Sequence, residues 1–373
     1  MARIVYISKY PPLEGGIAAK SYWLAQALGT RGHNVHIVTD RNDADKIHTI
    51  PGATSLPSHP KVTVYRPDQQ VPWHIPQDEH RALGLLDKAL EVIEKAKPDV
   101  IAAGYLVPYG LVAFLASQIT GIPYVLSHGG SDIRKFVGAG IWPNIWERAL
   151  SGAKWVITDV EQKDEIERWN ARNRILPPYV PDPAIFVPTA REKRERPVLA
   201  LIGKANYYWE HKGWHRVIDI WSRMGEGFDF AVVSQGAGLN RFRAYVKEHF
   251  GNRVSWQPFV PPWEMPSSLR SVDALFHFEV DLPFPMFSNL VVEALCCGTA
   301  VISDREEMME RYRAHGLDLS QRDELVLSVS KQNPNRAAEK IRDFLAAPSG
   351  SVCPCSPNDY DQYLAANEEI LAT

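Results

Sequence analysis

Pro177-Pro178-Tyr179-Val180-Pro181-Asp182-Pro183 divides a chain of 373 residues. Its prolines lack amide donors and fix φ, so the stretch predicts neither a helix nor a central strand. A charged run, Arg191-Glu192-Lys193-Arg194-Glu195-Arg196, follows. A solvated linker over 181–196 is the simplest reading of the two together.

Upstream, short apolar runs alternate with helical patterns. Ile4–Ser8, Val35–Thr39, Val100–Ala103, Pro123–Ser127 and Trp155–Thr158 read as strands. Gly15-Gly16 opens a helix that runs through Leu28 to a stop at Gly32, and Leu85, Leu86, Ala89, Leu90 and Ile93 recur at helical spacing before Pro98. Downstream the pattern restarts. Val198–Ile202, Phe228–Val233, Val254–Trp256, Ala274–Phe278 and Ala300–Ser303 read as strands, and Gly213–Met224, Leu239–His249, Leu290–Cys297 and Arg336–Leu345 as helices.

Apolar strands separated by helices predict parallel sheets covered on both faces. The expected architecture is α/β: two facing, Rossmann-like, doubly wound domains over 1–180 and 197–350, with a substrate cleft beyond the carboxyl ends of their strands. Residues 357–373 carry Tyr360, Tyr363, Leu364 and Leu371 at roughly helical intervals and are expected to pack back onto a domain.

Composition narrows the functions. Hydrophobic residues make up 45%, charged residues 23%, and the net charge is −3. That is an ordinary globular balance, with no excess of positive charge to make nucleic acid an expected partner. Four cysteines are too few to build a fold of this length on disulfides and point to a reducing compartment. The pair in Cys353-Pro354-Cys355 lacks further ligands at zinc spacing. Residues 1–7 lack the apolar stretch of a signal peptide, and the apolar region around Leu111 to Ile122 is too short and too interrupted to span a bilayer. A cytoplasmic protein is expected, with contact at a membrane surface left open. Gly236-Ala237-Gly238-Leu239-Asn240-Arg241 has arginine where a dinucleotide fingerprint needs its third glycine, and no P-loop occurs.

The richest chemistry lies in Pro285-Met286-Phe287-Ser288-Asn289-Leu290-Val291-Val292-Glu293-Ala294-Leu295-Cys296-Cys297-Gly298. Ser288 is a good N-cap, and the free amides from Phe287, Ser288, Asn289 and Leu290 form an anion site suited to a diphosphate. Glu293 is the only charge in that apolar helix. A buried carboxylate needs donors, and a ribose diol would supply two hydroxyls. A narrow solvent-facing strip or an internal arginine would serve as well. Lys204, at the end of a strand, and Lys212, at the start of a helix, can neutralise phosphates, or they are two surface lysines. Gly15 and Gly16 let amides approach a ligand closely, or they make a plain turn. His128-Gly129-Gly130-Ser131-Asp132 ends another strand, and His128 can hydrogen-bond a transferred sugar or merely cap its loop.

In this order the motifs resemble the retaining family 4 glycosyltransferases, across nearly the whole chain. The resemblance rests on the Gly15-Gly16 loop, Arg31-Gly32-His33-Asn34-Val35, the His128 loop, Asp182 to Pro188, the basic pair and the Glu293-Ala294 segment running to Gly298. It implies a GT-B transferase, metal-independent, with no cofactor, in which a nucleotide-sugar is the donor substrate. His128, Lys204 and Lys212 would be catalytic, with the β-phosphate taking the acceptor's proton. Gly15, Gly16, Phe287, Ser288, Asn289, Leu290 and Glu293 would hold the donor, Glu293 at the ribose. The sequence departs from the pattern at Pro285, where the family has a sugar-gripping glutamate, and at Ala205 to His211, an apparent aromatic insertion. The acceptor would be a carbohydrate, a small molecule or a lipid-linked compound. Arg134-Lys135-Phe136, Trp142 and Trp146 fit the last, although Trp146 and Leu150 are also spaced as helix core. The alternatives are another GT-B enzyme, a nucleotide-sugar epimerase or an inverting transferase, with Glu14 and Asp132 as acid/base or acceptor-side carboxylates, or an idle binding protein.

Overall fold

The computed structural model describes residues 1–42, 46–53, 55–68, 77–169, 171–189, 194–206, 208–279, 287–317, 324–330, 332–347 and 356–372. Pro285, Met286, Tyr207, Arg191 to Lys193 and the Cys353-Pro354-Cys355 triplet lie outside them.

Strands β1 (Arg3–Ile7), β2 (Asn34–Val38), β3 (Val62–Tyr65), β4 (Val100–Ala103), β5 (Tyr124–Ser127), β6 (Trp155–Thr158) and β7 (Asn173–Ile175) form one sheet in the order β3-β2-β1-β4-β5-β6-β7. Strands β8 (Val198–Lys204), β9 (Asp229–Gln235), β10 (Val254–Gln257), β11 (Ala274–His277), β12 (Ala300–Ser303) and β13 (Val326–Ser328) form a second, β10-β9-β8-β11-β12-β13. Every pairing is parallel. The first half contributes helices α1 (Gly16–Thr30), α2 (Gln77–Ala96), α3 (Leu111–Thr120), α4 (Pro143–Ser151) and α5 (Lys163–Glu167). The second contributes α6 (Trp214–Met224), α7 (Leu239–Phe250), α8 (Met265–Arg270), α9 (Asn289–Cys296), α10 (Met308–Ala314), α11 (Pro334–Ala346) and α12 (Pro357–Leu371). Among the described residues no helix is long and apolar enough to cross a membrane.

The outer face of each sheet buries its own core. Leu85, Val112 and Trp146 cover the first, and Val217, Trp221, Phe242 and Ile341 the second. The inner faces share one apolar body, built from α1, α9, α12 and the proline-rich segment. The proline-rich part of the expected linker is therefore packed rather than solvated, whereas Arg194, Glu195 and Arg196 of the charged run are exposed. Tyr179, Val180 and Phe186 are buried, with Phe186 edge-on to Trp23 at 5.5 Å. Proline excludes regular backbone there but leaves the intervening side chains free to pack.

Helix α12 returns to the first half, where Arg31 bonds Glu368 at 2.6 Å and Asp361 at 2.7 Å, and His33 meets Glu368 at 3.0 Å. Cys297 is buried with its thiol 4.0 Å from the Pro266 carbonyl, whereas Cys296 is disulfide-bonded, so the cysteines are not uniformly the reduced set that their number led us to expect.

Candidate active site

The chain order reverses between β1 and β4 in one sheet and between β8 and β11 in the other. Crevices beyond the carboxyl ends at such points are where open parallel sheets bind ligands. The loop of residues 8–15 lies at the first, and Lys204 with His277 to Glu279 at the second.

The first loop is held on two sides. Behind it, Arg66 donates to the carbonyls of Pro11 at 2.6 Å and Asp40 at 2.5 Å, while Asp40 is gripped by Arg81 at 2.6 and 3.0 Å. Beside it, the Ile50 amide donates to Pro12 and the Glu14 amide to His48, both at 2.8 Å. The fixed backbone aims Glu14 across the cleft. Its buried carboxylate lies 2.5 Å from His48 Nδ1 and 3.5 Å from Lys204 Nζ of the second domain. Its Oε2 is buried without a hydrogen-bond partner among the described residues. Gly15 adopts φ +117°, and nothing stands within 4 Å of where a Cβ would be at Gly15 or Gly16. The start of α1 is therefore uncrowded at both glycines.

Lys212 Nζ donates to the Lys204 carbonyl at 2.8 Å, which brings both ammonium groups to one edge. Burial, reinforced by the Lys204 charge and opposed by Glu14, lowers the Lys212 pKa to about 8. The aromatic insertion is anchored by Trp209, packed on Phe242 at 4.9 Å and Tyr245 at 5.1 Å, and it presents Tyr208 to solvent. Gly236 and Gly238 explain the failed fingerprint. A Cβ would stand 2.4 Å from the Ala205 carbonyl at Gly236 and 1.9 Å from the Asn206 carbonyl at Gly238, so these glycines face protein backbone rather than a ligand.

Sequence reasoning missed a cluster at the end of β11. Glu279 is buried, its amide donates to Asp304 at 2.9 Å, and its carboxylate sits 3.4 Å from Arg305 Nε. Burial pushes the neighbouring His277 down to about 4. The available signal was a carboxylate directly after an apolar central strand.

At the start of α9, the Tyr312 hydroxyl accepts from the Ser288 amide at 3.3 Å and donates to its carbonyl at 3.1 Å, while Phe287 packs on the Tyr312 ring at 4.6 Å. Ser288 makes no side-chain cap, and Asn289 and Leu290 form the first turn. Glu293 is buried and accepts from the Tyr179 hydroxyl at 3.1 Å, so its partner is a hinge tyrosine rather than solvent or an arginine. Burial raises its carboxyl to about 8 against that hydrogen bond. Among the described residues no ion pair joins Glu293 to Lys204 or Lys212.

The Asp132 carboxylate accepts from the amides of Leu106 at 2.9 Å, Gly129 at 2.8 Å and Ile133 at 3.2 Å. Those donors hold it as a brace of its own loop. His128 Nδ1 accepts from the Gly130 amide at 3.1 Å, leaving Nε2 to donate to Thr158 Oγ1 at 2.8 Å. Burial lowers its pKa and keeps it neutral. It lines a cavity with Tyr6, Lys20, Ser21 and Asn367, between α1 and α12.

Three further contacts close the two domains on each other. Gln235 donates to the carbonyls of Ile47 at 2.8 Å and Thr49 at 2.5 Å. Arg311 pairs with Glu161 at 3.0 and 3.2 Å, and His315 meets the same carboxylate at 3.1 Å. Among the described residues no three His, Cys, Asp or Glu side chains converge as metal ligands.

Two open parallel sheets face each other across a cleft, with Lys204 and Lys212 at the edge of one and the start of α1 at the edge of the other, which defines a two-domain α/β architecture. Residues 15–175 match the model of the glycosyl transferase 4-like domain. No curated protein matches the chain. The sucrose-phosphate synthase of Thermosynechococcus elongatus superposes on 100% of this chain and 94% of its own, with TM-score 0.66 and 17% identity. Anabaena HepE, in complex with UDP and glucose, covers 100% and 95%, with TM-score 0.59 and 14% identity. A putative UDP-N-acetylglucosamine 2-epimerase from Listeria monocytogenes covers 98% and 91%, with TM-score 0.55 and 13% identity. At these identities the likeness is one of fold. Residues 15–175 thus carry a glycosyl transferase 4-like domain, and the chain as a whole has the two-domain GT-B fold of these structures.

Proposed function

We propose that this chain is a cytoplasmic, metal-independent enzyme that moves a sugar from a nucleoside-diphosphate donor to an acceptor hydroxyl with retention. The observation that carries this is the pairing across the cleft of Lys204 and Lys212 with the open α1 N-terminus. When the bond from C1 to phosphate oxygen breaks, negative charge grows on the diphosphate, and two ammonium groups and helix amides stabilise it there. The acceptor oxygen bonds C1 on the face the phosphate leaves, and its proton passes to the departing phosphate. The products are the glycoside and the nucleoside diphosphate, and no side-chain base is required.

Lys204 exchanges Glu14 for the donor diphosphate. Neutral His128 turns its Nε2 proton from Thr158 to a sugar hydroxyl. Glu293 takes the ribose diol at its ionised oxygens. The complex of HepE with UDP and glucose supports a nucleotide-sugar donor and a carbohydrate acceptor.

A second reading takes the unpartnered Oε2 of Glu14 as the base of a nucleotide-sugar epimerase. Incubation with a nucleotide-sugar panel in EDTA separates the two. Transfer releases nucleoside diphosphate and gives a product of unchanged anomeric configuration. An epimerised nucleotide-sugar, or inversion at C1, would overturn the proposal.

A further inference from the structure

We propose that the rim formed by residues 134–148 docks the first domain onto an anionic membrane surface, presenting the cleft to a lipid-borne acceptor. Three large apolar side chains stand in solvent within five residues: Ile141 is 42% exposed, Trp142 48% and Ile145 40%. The local fold puts them there. Trp146, Ala149 and Leu150 turn α4 inward and are fully buried, which corrects the reading of Trp146 as part of an acceptor surface. Trp142 caps the helix in the left-handed region at φ +56°, and its carbonyl accepts from the amides of Ile145 and Trp146. Its ring stacks on Phe136 at 6.1 Å and 8°, so it is held outward by a partner rather than left loose.

The charges around these side chains select the occupant. Arg134, Lys135 and Arg148 are exposed. The acid within α4, Glu147, is two residues from Ile145 and thus about 200° around the helix from it. An amphipathic aromatic ring beside cations matches the boundary of an anionic bilayer. A helix of nine residues lies on such a surface and does not enter it. The rim belongs to the connection after β5, as His128 does, so a docked domain holds the cleft mouth near the lipid. The inference leans on the transferase reading only for that orientation, and its test uses no substrate.

The test is co-sedimentation of the full chain with phosphatidylcholine vesicles, with and without phosphatidylglycerol. Wild type pellets with the anionic vesicles at low salt and is released at about 1 M salt, where the Debye length falls to ~3 Å. Arg134→Gln/Lys135→Gln loses partitioning by roughly thirtyfold, about fivefold for each charge. Trp142→Ala/Ile145→Ser also stays in the supernatant, with wild-type melting temperature. The proposal falls if wild type fails to pellet, if it binds neutral vesicles equally well, or if the variants pellet like wild type. It also falls if wild type self-associates in sedimentation velocity while Trp142→Ala/Ile145→Ser does not, because the patch would then join copies of the chain.

Discussion

Glu293→Gln should make this protein more stable at neutral pH. The buried carboxyl rises from the ordinary glutamate value of 4.5 to about 8, so the folded chain binds its proton more tightly than the unfolded chain does. Between those two values the folded state carries more protons, and stability falls as pH rises through the window. At about 1.4 kcal/mol per pH unit the total loss is about 5 kcal/mol above pH 8, and about 3 kcal/mol of it is already present at pH 7. An amide cannot ionise, and its oxygen still accepts from Tyr179. Allowing about 1 kcal/mol for a buried amide N–H left poorly satisfied, the variant gains about 2 kcal/mol at pH 7. Its stability also becomes flatter between pH 5 and 8. Denaturant titrations of both proteins at pH 5, 6, 7 and 8 measure this. A less stable variant at pH 7 with an unchanged pH slope would show that Glu293 is ionised and structurally paired, and the reasoning would fail. The same groups set the ligand side. Wild type should bind a nucleotide-sugar more tightly as pH approaches about 8, releasing a proton that the variant does not release, and the variant should bind more weakly throughout.

Lys212→Met should weaken donor binding and remove the loss of affinity that wild type shows above pH 8, where the lysine gives up its charge; an unchanged alkaline limb would take Lys212 out of the site. Glu14→Gln releases Lys204 from its cross-domain partner, so the donor KM should fall or stay level while turnover changes. An epimer formed by wild type and lost in Glu14→Gln would favour the base reading instead. Gly238→Ala should cost more than about 2 kcal/mol, because the new methyl meets backbone at Asn206 rather than a flexible side chain, and a neutral melting temperature would refute that packing.

Much of the fold was legible because central parallel strands are buried on both faces and read as unbroken apolar runs. Val100–Ala103 and Ala300–Ser303 have the expected bounds, and both lie inside a sheet. Val62–Tyr65, Asn173–Ile175 and Val326–Ser328 escaped notice because they are edge strands whose half-exposed residues break the run. The site was legible one wall at a time. Lys204, Lys212 and Gly16 announce themselves by strand ends and helix starts. The ion pair between Glu14 and Lys204, and the bond from Tyr179 to Glu293, join residues 190 and 114 positions apart and exist only once the domains meet. The three amides that Asp132 accepts from were equally hidden, since nothing in a sequence shows which carboxylate braces its own loop.

In the proposed mechanism a diphosphate binds between the lysine edge and the α1 N-terminus. Calorimetric titration of UDP, GDP and ADP into wild type and Lys204→Met/Lys212→Met, in EDTA, tests it most directly. One of the three should bind wild type, and the double variant should lose that affinity by roughly a hundredfold, as expected for two charge-assisted contacts. Equal affinity in both proteins, or binding that appears only when a divalent cation is restored, would contradict it.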